Sequence, residues 1–233
     1  MKNSIDYKGT STLESMTQAK FYNRWTLAKF DKFLKGSILE VGYGIGTFTQ
    51  TLAKYGKVTA IDIDQNLIEK IKIDRNFNTR IGYGDIERAE YFFKNGKFDT
   101  IVCINVLEHI EDDSKAFANM YNLLQENGVL ILLIPAHLFL FGEIDKSIGH
   151  FRRYSKKDII AKLETSGFKI IKFRSLNLFG SIGWFISGRV FKNKIVDQSK
   201  IRLFNVVAPF FLRIEDLINP PFGTSFLIIA KKK

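Results

Sequence analysis

The chain has 233 residues, 45% hydrophobic and 25% charged, a composition that can bury a core and excludes a disordered polymer. Its formal net charge is +11, and the excess is local: residues 1–116 carry +1, whereas residues 150–202 carry 13 basic and 3 acidic side chains. One cysteine, Cys103, excludes an internal disulfide and a cysteine metal cluster, and no apolar run reaches the ~20 residues of a bilayer crossing.

No apolar core follows Met1 as a signal peptide requires, so a reducing cytoplasm is the expected compartment. Apolar residues at roughly helical spacing predict a helix within 11–35, stopped by Gly36. Strands and helices then alternate. Strands are expected at 37–41, 58–62, 79–83, 98–104 and 129–134, with helices near 47–54, 66–71 and 112–124 between them. Ser155 is expected to cap a helix to Ser166, closed by Gly167, before strands at 168–173 and 226–230. This order predicts an α/β, Rossmann-like doubly wound, mainly parallel seven-stranded sheet with helices on both faces. The strongly apolar fourth and fifth strands fit burial on both sides. An aromatic and basic insertion precedes the last strand. The chain reads as a single domain: a helical cap over 1–35, a core over 36–175, an insertion or lid over 176–224, and a last strand and tail over 225–233.

Chemistry first shows where strand one meets its helix, at Glu40-Val41-Gly42-Tyr43-Gly44-Ile45-Gly46. Glycines there allow a tight turn and let a ligand reach the backbone, while the helix start offers N–H groups. Asp62 ends strand two, where a carboxylate can accept both hydroxyls of a ribose. The dinucleotide fingerprint wants Gly or Ala where Thr47 stands, and has no use for Glu40. A carboxylate inside strand one suits an ammonium, which S-adenosylmethionine (SAM) carries.

On these residues the sequence resembles the class I SAM-dependent methyltransferases. Gly84-Asp85-Ile86 is similar to their adenine clamp, Phe98 to Ile110 to the fourth-strand segment ending in Leu-Glu-His, and Asn127-Gly128-Val129-Leu130 to the turn into strand five. The resemblance covers about residues 35–175 and implies SAM as cofactor and S-adenosylhomocysteine as product. It implies a cofactor set of Glu40, Gly42, Tyr43, Gly44, Gly46, Asp62, Ile63, Asp85, Ile86 and Asn105, with no metal. Glu40 would hold the ammonium, Asp62 the ribose, and Asp85 and Ile86 the adenine. Val129 departs from the Gly usual at that turn. Asn219-Pro220-Pro221-Phe222 spells the tetrapeptide of adenine-N6 DNA methyltransferases but stands before the last strand, so it reads as a proline-rich turn.

Ligands bind at the carboxyl ends of strands in such sheets. His109 and the segment His150-Phe151-Arg152-Arg153-Tyr154 are expected there, facing the acceptor, with Asp145 and His137 nearby. Arg152 and Arg153 would suit a phosphate or carboxylate. The competing reading pairs the arginines with carboxylates and packs Tyr154 under a helix. Tyr22 lies in the N-terminal helix expected to cover the site, and Trp25 reads as an aromatic stripe on the sheet. The insertion, with glycines at 180, 183 and 188, reads as a lid over a hydrophobic substrate, an interfacial helix on anionic lipid, or an extra helical layer. The expected function is methyl transfer to O, N or C of a small-molecule, sugar or lipid-linked anionic acceptor, with a peripheral membrane contact. RNA or protein methylation by the basic segment, or an NAD-dependent oxidoreductase, are the alternatives.

Overall fold

The computed structural model describes residues 18–71, 79–193 and 198–233. Within them, strands β1 (Ser37–Val41), β2 (Lys57–Asp62), β3 (Thr79–Asp85), β4 (Glu90–Tyr91), β5 (Phe98–Ile104), β6 (Leu124–Pro135), β7 (Phe168–Leu176) and β8 (Ser225–Lys232) form one sheet. Its order is β4-β3-β2-β1-β5-β6-β8-β7. The five central strands are parallel, and β8 runs antiparallel between β6 and β7. The seven expected strands are all present. The eighth is β4, a two-residue antiparallel pairing with the end of β3. The turn expected at Asn127–Gly128 falls inside β6, where Asn127 adopts φ +63°.

Helices cover both faces. On one side α4 (Asp113–Leu123) and α6 (Lys156–Thr165) set Ala116, Phe117, Met120, Ile159 and Leu163 against Leu39, Ile101, Cys103 and Leu132. Asp112 and Ser155 start these helices by accepting the Lys115 and Asp158 N–H groups at 3.3 and 3.1 Å. On the other side α1 (Lys20–Leu27), α2 (Thr49–Leu52), α3 (Gln65–Ile71) and α8 (Gln198–Ile218) cover Ile38, Ala60, Val102 and Ile131. Alternate residues of one strand thus meet opposite layers, which is why β5 and β6 need apolar side chains throughout.

Two short helices complete the carboxyl edge: α5 (Glu143–Ser147) and α7 (Leu178–Phe185), the latter continuing as a π-helix over Ile186–Val190. The described residues of the insertion therefore hold two helices, α7 and α8, and α8 is a layer on the sheet through Ala208 and Leu212. Trp25 packs in that layer and donates its indole N–H to Asp216 at 3.0 Å. The part of the expected N-terminal helix at 11–17 lies outside the described residues. No helix of the described residues is long and apolar enough to cross a membrane.

Candidate active site

The chain reverses out of β1 through three glycines at positive φ: Gly42 (+71°), Gly44 (+55°) and Gly46 (+80°). Gly42 shows why. Its left-handed backbone strains any other residue, and a Cβ there would stand 2.3 Å from Cγ2 of Val106 in the loop after β5. The β1 and β5 loops therefore nearly touch, at the point where strand order reverses and doubly wound sheets bind their ligands.

Around this point the carboxylates lie at three adjacent strands. Glu40 is 5% exposed, and its Oε2 has no hydrogen-bond partner. Burial pushes its carboxyl up to about 7, with the Asp62 charge adding to the rise. At the end of β2, Asp62 accepts the Gly44 N–H at 2.9 Å and the Asp64 N–H at 3.0 Å, so it holds the glycine loop. Its pKa too is raised by burial, against the effect of those N–H groups. Asp85 ends β3 and accepts the Glu87 and Arg88 N–H groups at 2.9 and 3.0 Å, with Arg88 Nε 3.5 Å from its other oxygen. Ile86 beside it is buried, and its carbonyl is held by Asn119 Nδ2 at 2.8 Å. Ile63 is exposed after Asp62. Asn105 directly follows β5 with φ +52°, its N–H bonded to the Leu133 carbonyl at 2.8 Å. Tyr43 differs from the rest. Its ring is in the core beneath the loop, and burial raises its hydroxyl pKa, as do the Asp62, Asp64 and Glu40 charges.

A buried carboxylate with an unsatisfied oxygen, within a glycine-lined loop and next to a second acid, calls for a cation bearing hydroxyls. SAM, which carries both an ammonium and a ribose, is a molecule of that kind. A family model described as a methyltransferase domain matches residues 39–132. An uncharacterised protein of Methanocaldococcus jannaschii is 30% identical over 175 residues, covering 75% of this chain and 72% of that one. The chain belongs to the class I SAM-dependent methyltransferases. The ubiquinone biosynthesis O-methyltransferase of Rickettsia canadensis is 26% identical over 163 residues, covering 63% of this chain and 68% of that one. A SAM-dependent methyltransferase structure from Clostridium acetobutylicum shares the fold with a TM-score of 0.58 at 17% identity, covering 92% of each chain. The oxidoreductase reading therefore gives way to a SAM-dependent enzyme.

A second cluster of titratable residues in this methyltransferase follows β5 and β6. A 3-10 turn, Leu107–His109, buries Glu108 and brings the His109 ring to 4.7 Å from His150, edge to face. His150 Nδ1 is 2.9 Å from Asp145 Oδ1, and its Nε2 is 3.7 Å from Glu108 Oε1. Neither Glu108 oxygen has a hydrogen-bond partner, and burial pushes its carboxyl up to about 7 against the pull of His150 and Arg153. Burial and the neighbouring His150 push His109 down to about 4, so it is neutral at pH 7. Asp145 is fully buried; burial would raise its pKa, yet His150, Arg153 and the Gly142 N–H hold it below the usual range. Glu108, His109 and His150 bring ligand atoms within 4.8 Å of one another, a set that could hold a metal ion.

The arginines and tyrosine expected to face the acceptor have protein partners. Arg153 is 3% exposed, pairs with Asp145 at 2.8 Å and donates to the Ala136 and Thr224 carbonyls at 3.1 and 3.3 Å. Tyr154 is fully buried and donates to Asp113 at 3.0 Å. Arg152 is partly exposed, 3.2 Å from Asp113 and 2.7 Å from the Glu111 carbonyl. These three build the scaffold that carries His150. Sequence reasoning missed Glu108 as a site group, though it lies in the Leu-Glu-His signature. It also missed Trp184, whose indole N–H donates to Asp145 at 3.2 Å with the Arg153 guanidinium over its ring. Phe222, of the proline-rich turn, stacks on His137 with ring centres 4.0 Å apart.

Proposed function

We propose that this methyltransferase acts on a hydroxyl of a small or lipid-linked acceptor, with His150 as the base. The carrying observation is the buried Asp145–His150 contact of 2.9 Å at the carboxyl edge. With Asp145 accepting from Nδ1, the basic lone pair of His150 lies on Nε2, on the side of Glu108. When bound, SAM supplies a methyl group on a sulfonium, a leaving group that needs no acid. His150 Nε2 would take the proton of the acceptor hydroxyl while the methyl carbon exchanged its bond to sulfur for one to that oxygen. Asp145 orients the ring and stabilises the imidazolium, and Glu108 lies close enough to add to that field. Neutral His109 and the His137–Phe222 stack offer an apolar, aromatic wall that excludes water. The relative named as a ubiquinone biosynthesis O-methyltransferase supports oxygen as the accepting atom.

The test uses labelled SAM with a panel of catechols, prenylated phenols and sugar hydroxyls. His150→Gln should lower kcat about 10²–10⁴-fold and flatten the acidic limb of the pH–rate profile. S-adenosylhomocysteine affinity should be unchanged. Wild-type turnover by the variant would refute the role of His150.

A further inference from the structure

We infer that α7, its π-helical extension and α8 form a docking surface for an anionic lipid bilayer, placed beside the acceptor half of the site. This deepens the lipid-linked part of the reading above and rests on it only for its purpose.

The observation is an outward stripe on each helix. Leu203, Val206, Phe210 and Leu217 recur at helical spacing on one face of α8, together with Arg213. The opposite face buries Ala208, Leu212 and Glu215. Val206 and Leu217 are 77% and 87% exposed, although a water-facing helix would place polar residues there. On the α7 segment Ile182, Phe185, Ile186 and Val190 likewise share an outer face, and Phe191 follows at 68% exposure. Ten of the 17 exposed large hydrophobics among the described residues lie between Ile182 and Ile218. The two helices meet through Phe179 and Phe211, ring centres 4.3 Å apart.

Charge selects the partner. Arg189, Lys192 and Arg213 are exposed beside these stripes. The acidic residues described in the same region are taken up by the protein: buried Glu215 accepts the Asn177 and Leu178 N–H groups at 2.6 and 2.8 Å, and Asp216, though exposed, pairs with Lys29 and Arg174. An apolar face rimmed by cations is complementary to acyl chains under anionic headgroups. In a symmetric dimer across this face the same cations would oppose one another. The link to chemistry is Trp184: the helix that shows Ile182 and Phe185 to solvent sends Trp184 inward to Asp145, the partner of His150. A chain seated on this face would hold its acceptor half close to the lipid.

The full chain should co-sediment with vesicles of about three parts phosphatidylcholine to one part phosphatidylglycerol, at least about tenfold more than with phosphatidylcholine alone, and less as salt rises. Leu203→Gln with Val206→Gln and Phe210→Gln should lower vesicle binding about tenfold. The S-adenosylhomocysteine thermal shift should stay unchanged, which also reports that the variant folds. Equal binding to both vesicles, no binding to either, or a stable dimer that the triple variant dissociates would overturn the proposal. So would an RNA that displaces the chain from vesicles. Vesicle binding is read without turnover, so its failure leaves the His150 chemistry standing, and failure of His150→Gln leaves the surface standing.

Discussion

At the β1–β2 end of the carboxyl edge, Glu40 keeps a buried oxygen unpaired, and Asp62 accepts two backbone N–H groups from its own loops. At the β5–β6 end, Asp145 has four partners: Arg153, His150, Trp184 and the Gly142 N–H. Both ends bury carboxylates: at the second, Asp145 is satisfied within the protein, whereas Glu108 beside it keeps unpaired oxygens, as Glu40 does at the first. The second is a frame in which Asp145 holds His150 at 2.9 Å and Arg153 at 2.8 Å.

Breaking the frame should have the largest effect. Arg153→Ala leaves Asp145 buried without its guanidinium and removes the bonds to the Ala136 and Thr224 carbonyls. Unfolding in urea should show a loss of about 3–5 kcal/mol. A loss below about 1 kcal/mol would mean that the pair contributes little. The unpaired end should behave in the opposite sense. A carboxyl whose pKa is higher folded than unfolded favours folding less as pH rises through the interval from its unfolded value of 4.5 to about 7, and this penalty persists above it. Glu40→Gln should therefore melt higher than the ligand-free wild type at pH 8, by about 1 kcal/mol, with little difference at pH 4. The same variant should show a smaller thermal shift with S-adenosylhomocysteine. A variant less stable than wild type at pH 8 would show that the structure already compensates Glu40.

The two regions also differed in how far they could be read from residues alone. The glycine loop, Glu40, Asp62 and Asp85 sit at fixed distances along consecutive strand–turn–helix units, so local pattern placed them. The β5 and β6 strands were plain because burial on both faces demands unbroken apolar runs. The cluster after β5 and β6 joins positions 108, 145, 150, 153 and 184 across four segments, and no local spacing encodes that meeting. Arg152-Arg153-Tyr154 looked like a ligand-binding run, yet Asp113 and Asp145 stand among the partners that take up its polar atoms. The two-residue β4 has no pattern long enough to detect. Glycines 180, 183 and 188 argued against a straight helix in the insertion, and the structure resolves the point through packing. A Cβ on Gly142 would stand 2.8 Å from the Gly188 carbonyl, so Gly142 lets the π-helical turn press against the start of α5.

Calorimetric titration of the protein with S-adenosylhomocysteine, for wild type and for Asp62→Ala, tests the central claim most directly. The wild type should bind at one site, and Asp62→Ala should bind about 30–100-fold more weakly through loss of charge-assisted bonds to the ribose. No saturable heat from the wild type at millimolar ligand, or equal affinity in the two proteins, would contradict the assignment of this edge as the cofactor site.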